Sequence, residues 1–208
     1  MFVNWALLVA FIPTFFFVSI TPGMCMTLSM SLGMTIGVRK ALWMMWGELL
    51  GVGLVAASAT LGIAAVMLRY PSAFLVGKII GGLYLMYLGY CLWRSKGKLA
   101  LSETESLSQT MSRRELVWQG FITAIANPKG WAFFIALLPP FISPDYPMAT
   151  QLPLLIAIIL VIEFACLLIY ACGGKSLSLL LKNRSNVKVI NRLAGTLMVG
   201  VGVWLMTT

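Results

Sequence analysis

The chain has 208 residues, of which 60% are apolar and 10% charged, and its mean hydropathy is +0.94. A soluble domain carries about 45–50% apolar and about 25% charged residues, so this balance argues against a soluble enzyme, a disordered chain and a disulfide-stapled secreted domain. The formal charge is +9 with no histidine. Such a basic excess in an apolar chain points to membrane topology rather than nucleic-acid binding, and the commonest metal ligand and easiest general base is missing.

The composition predicts an all-α polytopic integral membrane protein. At about 20 residues per helical span, the chain has room for about six spans joined by short loops. The apolar runs place them at 5–34, 41–68, 72–93, 116–142, 152–172 and 189–206. The first run is too long for the h-region of a signal peptide and lacks a basic n-region, so no cleavable leader is expected. The first and fourth spans are longer than a simple crossing needs. Each contains a proline break, at Thr21, Pro22 and Gly23 in the first and at Asn127, Pro128, Lys129 and Gly130 in the fourth. The one sizeable loop, 95–115, is rich in Ser, Glu and basic residues and reads as a solvated connector. The whole chain, 1–208, is thus expected to be a single transmembrane domain.

Arg39, Lys40, Arg94, Lys96, Lys98, Arg113, Arg114, Lys175, Lys182, Arg184, Lys188 and Arg192 all fall in regions that share one side of the membrane. That side is predicted to be cytoplasmic, which puts both termini outside.

The two halves, 1–94 and 116–208, resemble each other. Each runs from a proline break to an acid, Glu48 or Glu163, and then to a basic-Gly-Leu segment, Lys78–Leu83 or Arg192–Leu197. The acid-to-base spacing is nearly equal in the two. The break-to-acid spacing is longer in the second half, which an insertion around 139–151 would explain. Three spans per half would insert the halves with opposite orientation, the architecture of many secondary transporters. A proline break frees backbone groups that must be met by protein or trapped water. Its half-helix ends are positive at N-termini and negative at C-termini. Two opposed breaks would therefore suit a zwitterion, whereas an isolated proline kink would merely shape packing. Ser19, Thr21, Thr27, Thr123, Asn127 and Lys129 beside the breaks favour the first reading.

Glu48 and Glu163 sit well inside apolar spans, where a carboxylate is costly unless paired, hydrated or protonated. They read as proton carriers or counter-charges, against the alternative of a static ion pair with Lys129 or Lys78. Gly47, Gly51 and Gly53 flank Glu48 and would admit a close neighbouring helix. Gly81, Gly82, Gly89, Gly195, Gly200 and Gly202 read as tight helix contacts, and Tyr84, Tyr87 and Tyr90 as packing or interface residues. The 13 methionines read as apolar filler, Met24-Cys25-Met26 included. Cys25, Cys91, Cys166 and Cys172 lack zinc-site spacing and read as buried thiols without a structural disulfide.

Ser-Ile-Thr-Pro-Gly (19–23), Ala-Asn-Pro-Lys-Gly (126–130) and Gly-Gly-Leu-Tyr-Leu-Met-Tyr-Leu-Gly (81–89) together resemble signatures of the LysE/RhtB family of amino-acid exporters, over essentially the whole chain. The family often has Pro-Gly-Pro in the first break; here Met24 stands in place of the second proline. The resemblance implies export of amino acids or close derivatives, homoserine-, threonine- or leucine-like or basic. It also implies an inner-membrane location and proton coupling. From the residues themselves, no cofactor, no metal and no nucleic-acid partner are expected, and a homo-oligomer is left open. Thr21, Pro22, Gly23, Asn127, Pro128 and Lys129 would bind substrate, and Glu48 and Glu163 would couple protons. The rival readings are a cation or metal exporter, a membrane-embedded enzyme and an assembly subunit. The first lacks a convergent ligand set and the second a nucleophile with its base.

Overall fold

The computed structural model describes residues 5–69, 71–94, 111–138, 141–143, 146–182 and 184–207, and among these all regular structure is helical. The helices are α1 (Trp5–Ile20), α2 (Met24–Thr35), α3 (Val38–Arg69), α4 (Pro71–Arg94), α5 (Arg113–Ile125), α6 (Pro128–Leu137), α7 (Met148–Lys182) and α8 (Arg184–Thr207). The proline breaks divide the first apolar run into α1 and α2, bent by 60°, and the fourth into α5 and α6. Among the described residues, Val38–Gly62 and Met148–Gly174 are each long and apolar enough to cross a membrane, and the bent α1–α2 pair makes a third crossing if it is one span. The connector at 95–110 lies outside the described residues.

Local sequence sets the ends. Gly37 takes φ +82 between α2 and α3, a left-handed turn that a residue with a Cβ adopts at a cost. Ser112 opens α5 with a capping box: its hydroxyl accepts from the Glu115 amide (3.3 Å), and the Glu115 carboxylate accepts from the Ser112 amide (2.6 Å). Helix α7 runs 35 residues, about 50 Å at 1.5 Å per residue and longer than the roughly 30 Å hydrocarbon core. The 152–172 reading is therefore too short. Lys175 and Lys182 ride on a helical extension of α7 rather than on a loop. In the region where the insertion is expected, buried Gln151 bonds to Ser143 and Tyr146. Its side chain accepts from the Ser143 amide (3.0 Å) and donates to the Ser143 (2.9 Å) and Tyr146 (2.8 Å) carbonyls.

Glycines decide how closely helices meet. A Cβ on Gly47 would lie 1.8 Å from the Val117 carbonyl oxygen, and one on Gly120 2.0 Å from that of Met44. Helices α3 and α5 thus touch backbone to backbone. Gly82 and Gly202 face each other across α4 and α8, as do Gly89 and Gly195, each sterically excluding a Cβ on its partner. Gly200 is an exception to the predicted contacts: nothing lies within 4 Å of a Cβ built there. The interior has two apolar clusters. One is aromatic and aliphatic, with Phe11, Phe15, Phe133, Phe134 and Phe141 beside Val52, Val55 and Ile159. The other gathers Met26, Met30, Met44 and Met45 with Leu167 and Tyr170. These methionines fill the core, as their unbranched chains allow. Outside, Val9, Leu50, Leu54, Val161 and Leu193 are each more than half exposed, a surface suited to lipid.

Candidate functional site

Pro22 lacks an amide hydrogen, so the Val18 carbonyl four residues back loses its α-helical donor and keeps only the Thr21 amide, at 3.3 Å. The Lys129 ammonium is a second donor to it (3.0 Å) and also donates to the Thr21 carbonyl (3.2 Å). The Tyr170 hydroxyl donates to the Ile20 carbonyl (2.8 Å). The open carbonyl end of α1 is thus capped by side chains from the second half of the chain. Gly23 opens α2 in an extended conformation, φ −142, with no side-chain cap. A Cβ there would meet the Lys129 Nζ at 3.7 Å, an ordinary contact, so this glycine leaves room rather than relieving strain.

The second break is built differently. Pro128 sits in the first turn of α6, where its missing amide costs no hydrogen bond. Asn127 caps that turn by accepting from the Lys129 amide (3.1 Å), which aims the Lys129 side chain across to α1. The Asn127 Nδ2 donates to the Cys25 Sγ (3.7 Å) on α2. The two breaks therefore touch through Lys129 and through Asn127–Cys25.

Two carboxylates complete the cluster. Glu163 on α7 accepts a hydrogen bond from the Ser19 hydroxyl and interacts electrostatically with Lys129. Glu48 on α3 is fully buried, and neither of its oxygens has a hydrogen-bond partner among the described residues. It faces Glu163 and the Cys25 thiol. Ser19, Thr21, Gly23, Asn127, Lys129 and Glu163 line a cavity of about 50 Å³, walled by Phe15, Phe133 and Phe134. That is room for a few waters at roughly 10–15 Å³ each. Glu48 lies behind this lining, against Glu163.

The geometry brings together Thr21, Gly23, Asn127, Lys129, Glu48 and Glu163. It does not bring in the prolines as contact groups: Pro22 is half-buried and Pro128 exposed. The Thr21, Thr27 and Thr123 hydroxyls are spent on carbonyls of the preceding turn. The static-pair alternative does not describe Glu48, which has no hydrogen bond to Lys129; the side chain of Lys78 lies outside the described residues. Cys25 and Cys166 are buried, whereas Cys91 and Cys172 are exposed, which corrects the reading of four buried thiols; all are free. Tyr84, Tyr87 and Tyr90 are exposed, which fits the interface reading and not the packing one. Tyr170 was not legible as a site residue. Its one signal is position: Glu163, Cys166 and Tyr170 recur at helical spacing on one face of α7.

An apolar helical exterior around a charged, water-sized cavity at two broken helices is an arrangement suited to a membrane translocator. The LysE type translocator family model matches residues 15–208, and the chain belongs to that family. It is 29% identical to a homoserine/homoserine lactone efflux protein of Salmonella typhimurium, over 94% of each chain. It is 26% identical to a leucine efflux protein of Enterobacter sp. strain 638, over 89% of this chain and 88% of that one. An uncharacterized membrane protein of Vibrio cholerae is 28% identical over 91% of each. No solved structure matches the chain.

Proposed function

We propose that the protein is a proton-coupled secondary transporter that exports amino acids or close derivatives across the cytoplasmic membrane. The observation that carries this reading is the meeting of the two breaks: an ammonium from one caps the carbonyl end of the other, beside the half-buried Glu163 carboxylate and the buried Glu48. A zwitterion has the groups this site handles. Its ammonium can take the Val18 and Thr21 carbonyls from Lys129, and its carboxylate can then pair with the freed Lys129 Nζ near the N-terminus of α6. Glu163, on the cavity wall, and Glu48, behind it, would pass a proton between them. A proton loaded from outside and released inside would drive substrate outward. The efflux names of the Salmonella and Enterobacter relatives support the direction and the amino-acid class.

The architecture that suits this reading has six spans in two inverted halves. Its support is the exchange of partners, with α3 of the first half packed on α5 of the second and α7 of the second on α1 and α2 of the first. The test is efflux by Glu48→Gln, Glu163→Gln and Lys129→Met variants, at equal membrane expression and across a pH series, with a panel of amino acids. Loss of export and a flattened pH dependence in the glutamate variants are expected. Wild-type export by all three would make these residues structural.

A further inference from the structure

A second pocket, remote from the breaks, lies where α3 and α5 begin their contact. It measures about 170 Å³ and is lined by Trp43, Arg113, Arg114, Val117 and Trp118. One of its lining residues, Val117, also belongs to the close α3–α5 contact already described, where a Cβ on Gly47 would strike the Val117 carbonyl. With the backbones touching, the larger side chains are displaced sideways and form walls. Trp43 is 39% exposed and Trp118 61% exposed. The Arg113 guanidinium lies 5.2 Å from the centre of the Trp43 ring, a cation–π contact that orients it. Glu115, the acid nearest in sequence, commits its carboxylate to the Ser112 amide. Arg39 and Lys40 precede Trp43 by about one helical turn and so share its face of α3.

We infer that this pocket seats the headgroup phosphate of an anionic phospholipid. Two guanidiniums supply forked donors matched to phosphate oxygens. Indole rings belong at the headgroup level of a bilayer, and basic pockets between membrane helices are suited to acidic lipids. The acyl chains would run along the apolar flank past Trp118 (61% exposed) and Ile122 (59% exposed) on α5. The occupant is a lipid and not a free phosphate, because the walls continue into an apolar surface a soluble anion would not cover.

The experiment is native mass spectrometry of the purified protein with phosphatidylglycerol or phosphatidylcholine. The unsubstituted protein should retain phosphatidylglycerol preferentially, and Arg113→Gln/Arg114→Gln should lower that retention about tenfold or more. Arg94→Gln, on α4, should leave it unchanged. If the double variant does not fold, the single Arg114→Gln variant, read at the same lipid ratios, must show a selective loss. Equal retention of both lipids, full phosphatidylglycerol retention by the arginine variants, or displacement of the lipid by millimolar glycerol phosphate would each overturn the inference. None of these readouts depends on transport.

Discussion

Lys129 donates to backbone carbonyls at the end of α1, where Pro22 supplies no amide hydrogen. Its two hydrogen bonds to Val18 and Thr21 make it a structural cap as well as a candidate substrate ligand. Each buried acceptor left unmet costs about 1–3 kcal/mol. Val18 keeps the Thr21 amide, so Lys129→Met strands chiefly the Thr21 carbonyl and is expected to lower unfolding stability in detergent by about 1–3 kcal/mol; stability equal to the parent would show that these bonds do not hold the bend. Tyr170→Phe removes one hydrogen bond, to Ile20, and should cost about 1 kcal/mol while sparing export. Comparing unfolding curves with efflux rates for the pair separates capping from transport. Lys129, Glu48 and Glu163 were legible in the sequence because a charge in an apolar run is conspicuous. Tyr170 was not, because its acceptor is a backbone carbonyl 150 residues away, and a carbonyl has no signature in sequence.

Helix ends and helix contacts test the fold in a different way. The exposed Glu115 carboxyl is held below its ordinary range by the hydrogen bond from the Ser112 amide, with the Ser112 side chain also contributing. A depressed folded value means that the capping contribution is present above the unfolded value and is lost as pH falls through the folded one. Unfolding of the parent should thus become easier as pH drops through the carboxylate range. Ser112→Ala, expected to cost about 0.5–2 kcal/mol at neutral pH, should show a weaker dependence there; parallel pH curves would remove the capping box from the account. Glycines give a sharper contrast. Gly120→Ala puts a Cβ 2.0 Å from the Met44 carbonyl and should abolish stable expression, since the backbone must move. Gly200→Ala meets nothing within 4 Å and should stabilise by about 0.5–1 kcal/mol, the usual gain on replacing a helical glycine. Thermal unfolding of the two variants checks this, and equal effects would contradict the packing described. Sequence showed that both glycines lie in helices and where Pro22 and Pro128 break them. It did not separate Gly120 from Gly200, because only the assembled neighbours determine what a Cβ would strike.

At the scale of the molecule, charge predicts the membrane sidedness and the packing of the two halves supports the proposed inverted repeat. Apolar runs gave the helices and their order, since a bilayer demands long runs with internally satisfied backbones. The length of α7 beyond the bilayer was not legible, because Lys175 and Lys182 read as loop residues although Leu177, Leu179, Leu180 and Leu181 between them favour a helix. That extension carries the basic residues on a helix and leaves their side of the membrane unchanged. Arg113 and Arg114 begin α5, Arg94 ends α4, and Arg39 and Lys40 begin α3, so the basic groups collect at helix ends that an alternating path puts together. Lys and Arg resist transfer across the membrane during insertion, so that collection is predicted to face the cytoplasm. An even number of crossings would then leave both termini outside. The prediction is read by single cysteines at Ser106→Cys, in the connector, and Ser185→Cys, at the start of α8, in a background with Cys91→Ser and Cys172→Ser to remove the exposed native thiols. A membrane-impermeant maleimide applied to intact cells should label neither site, and both should react once the membrane is opened. Efficient labelling of either in intact cells would invert the topology, and with it the direction in which the proposed proton path runs.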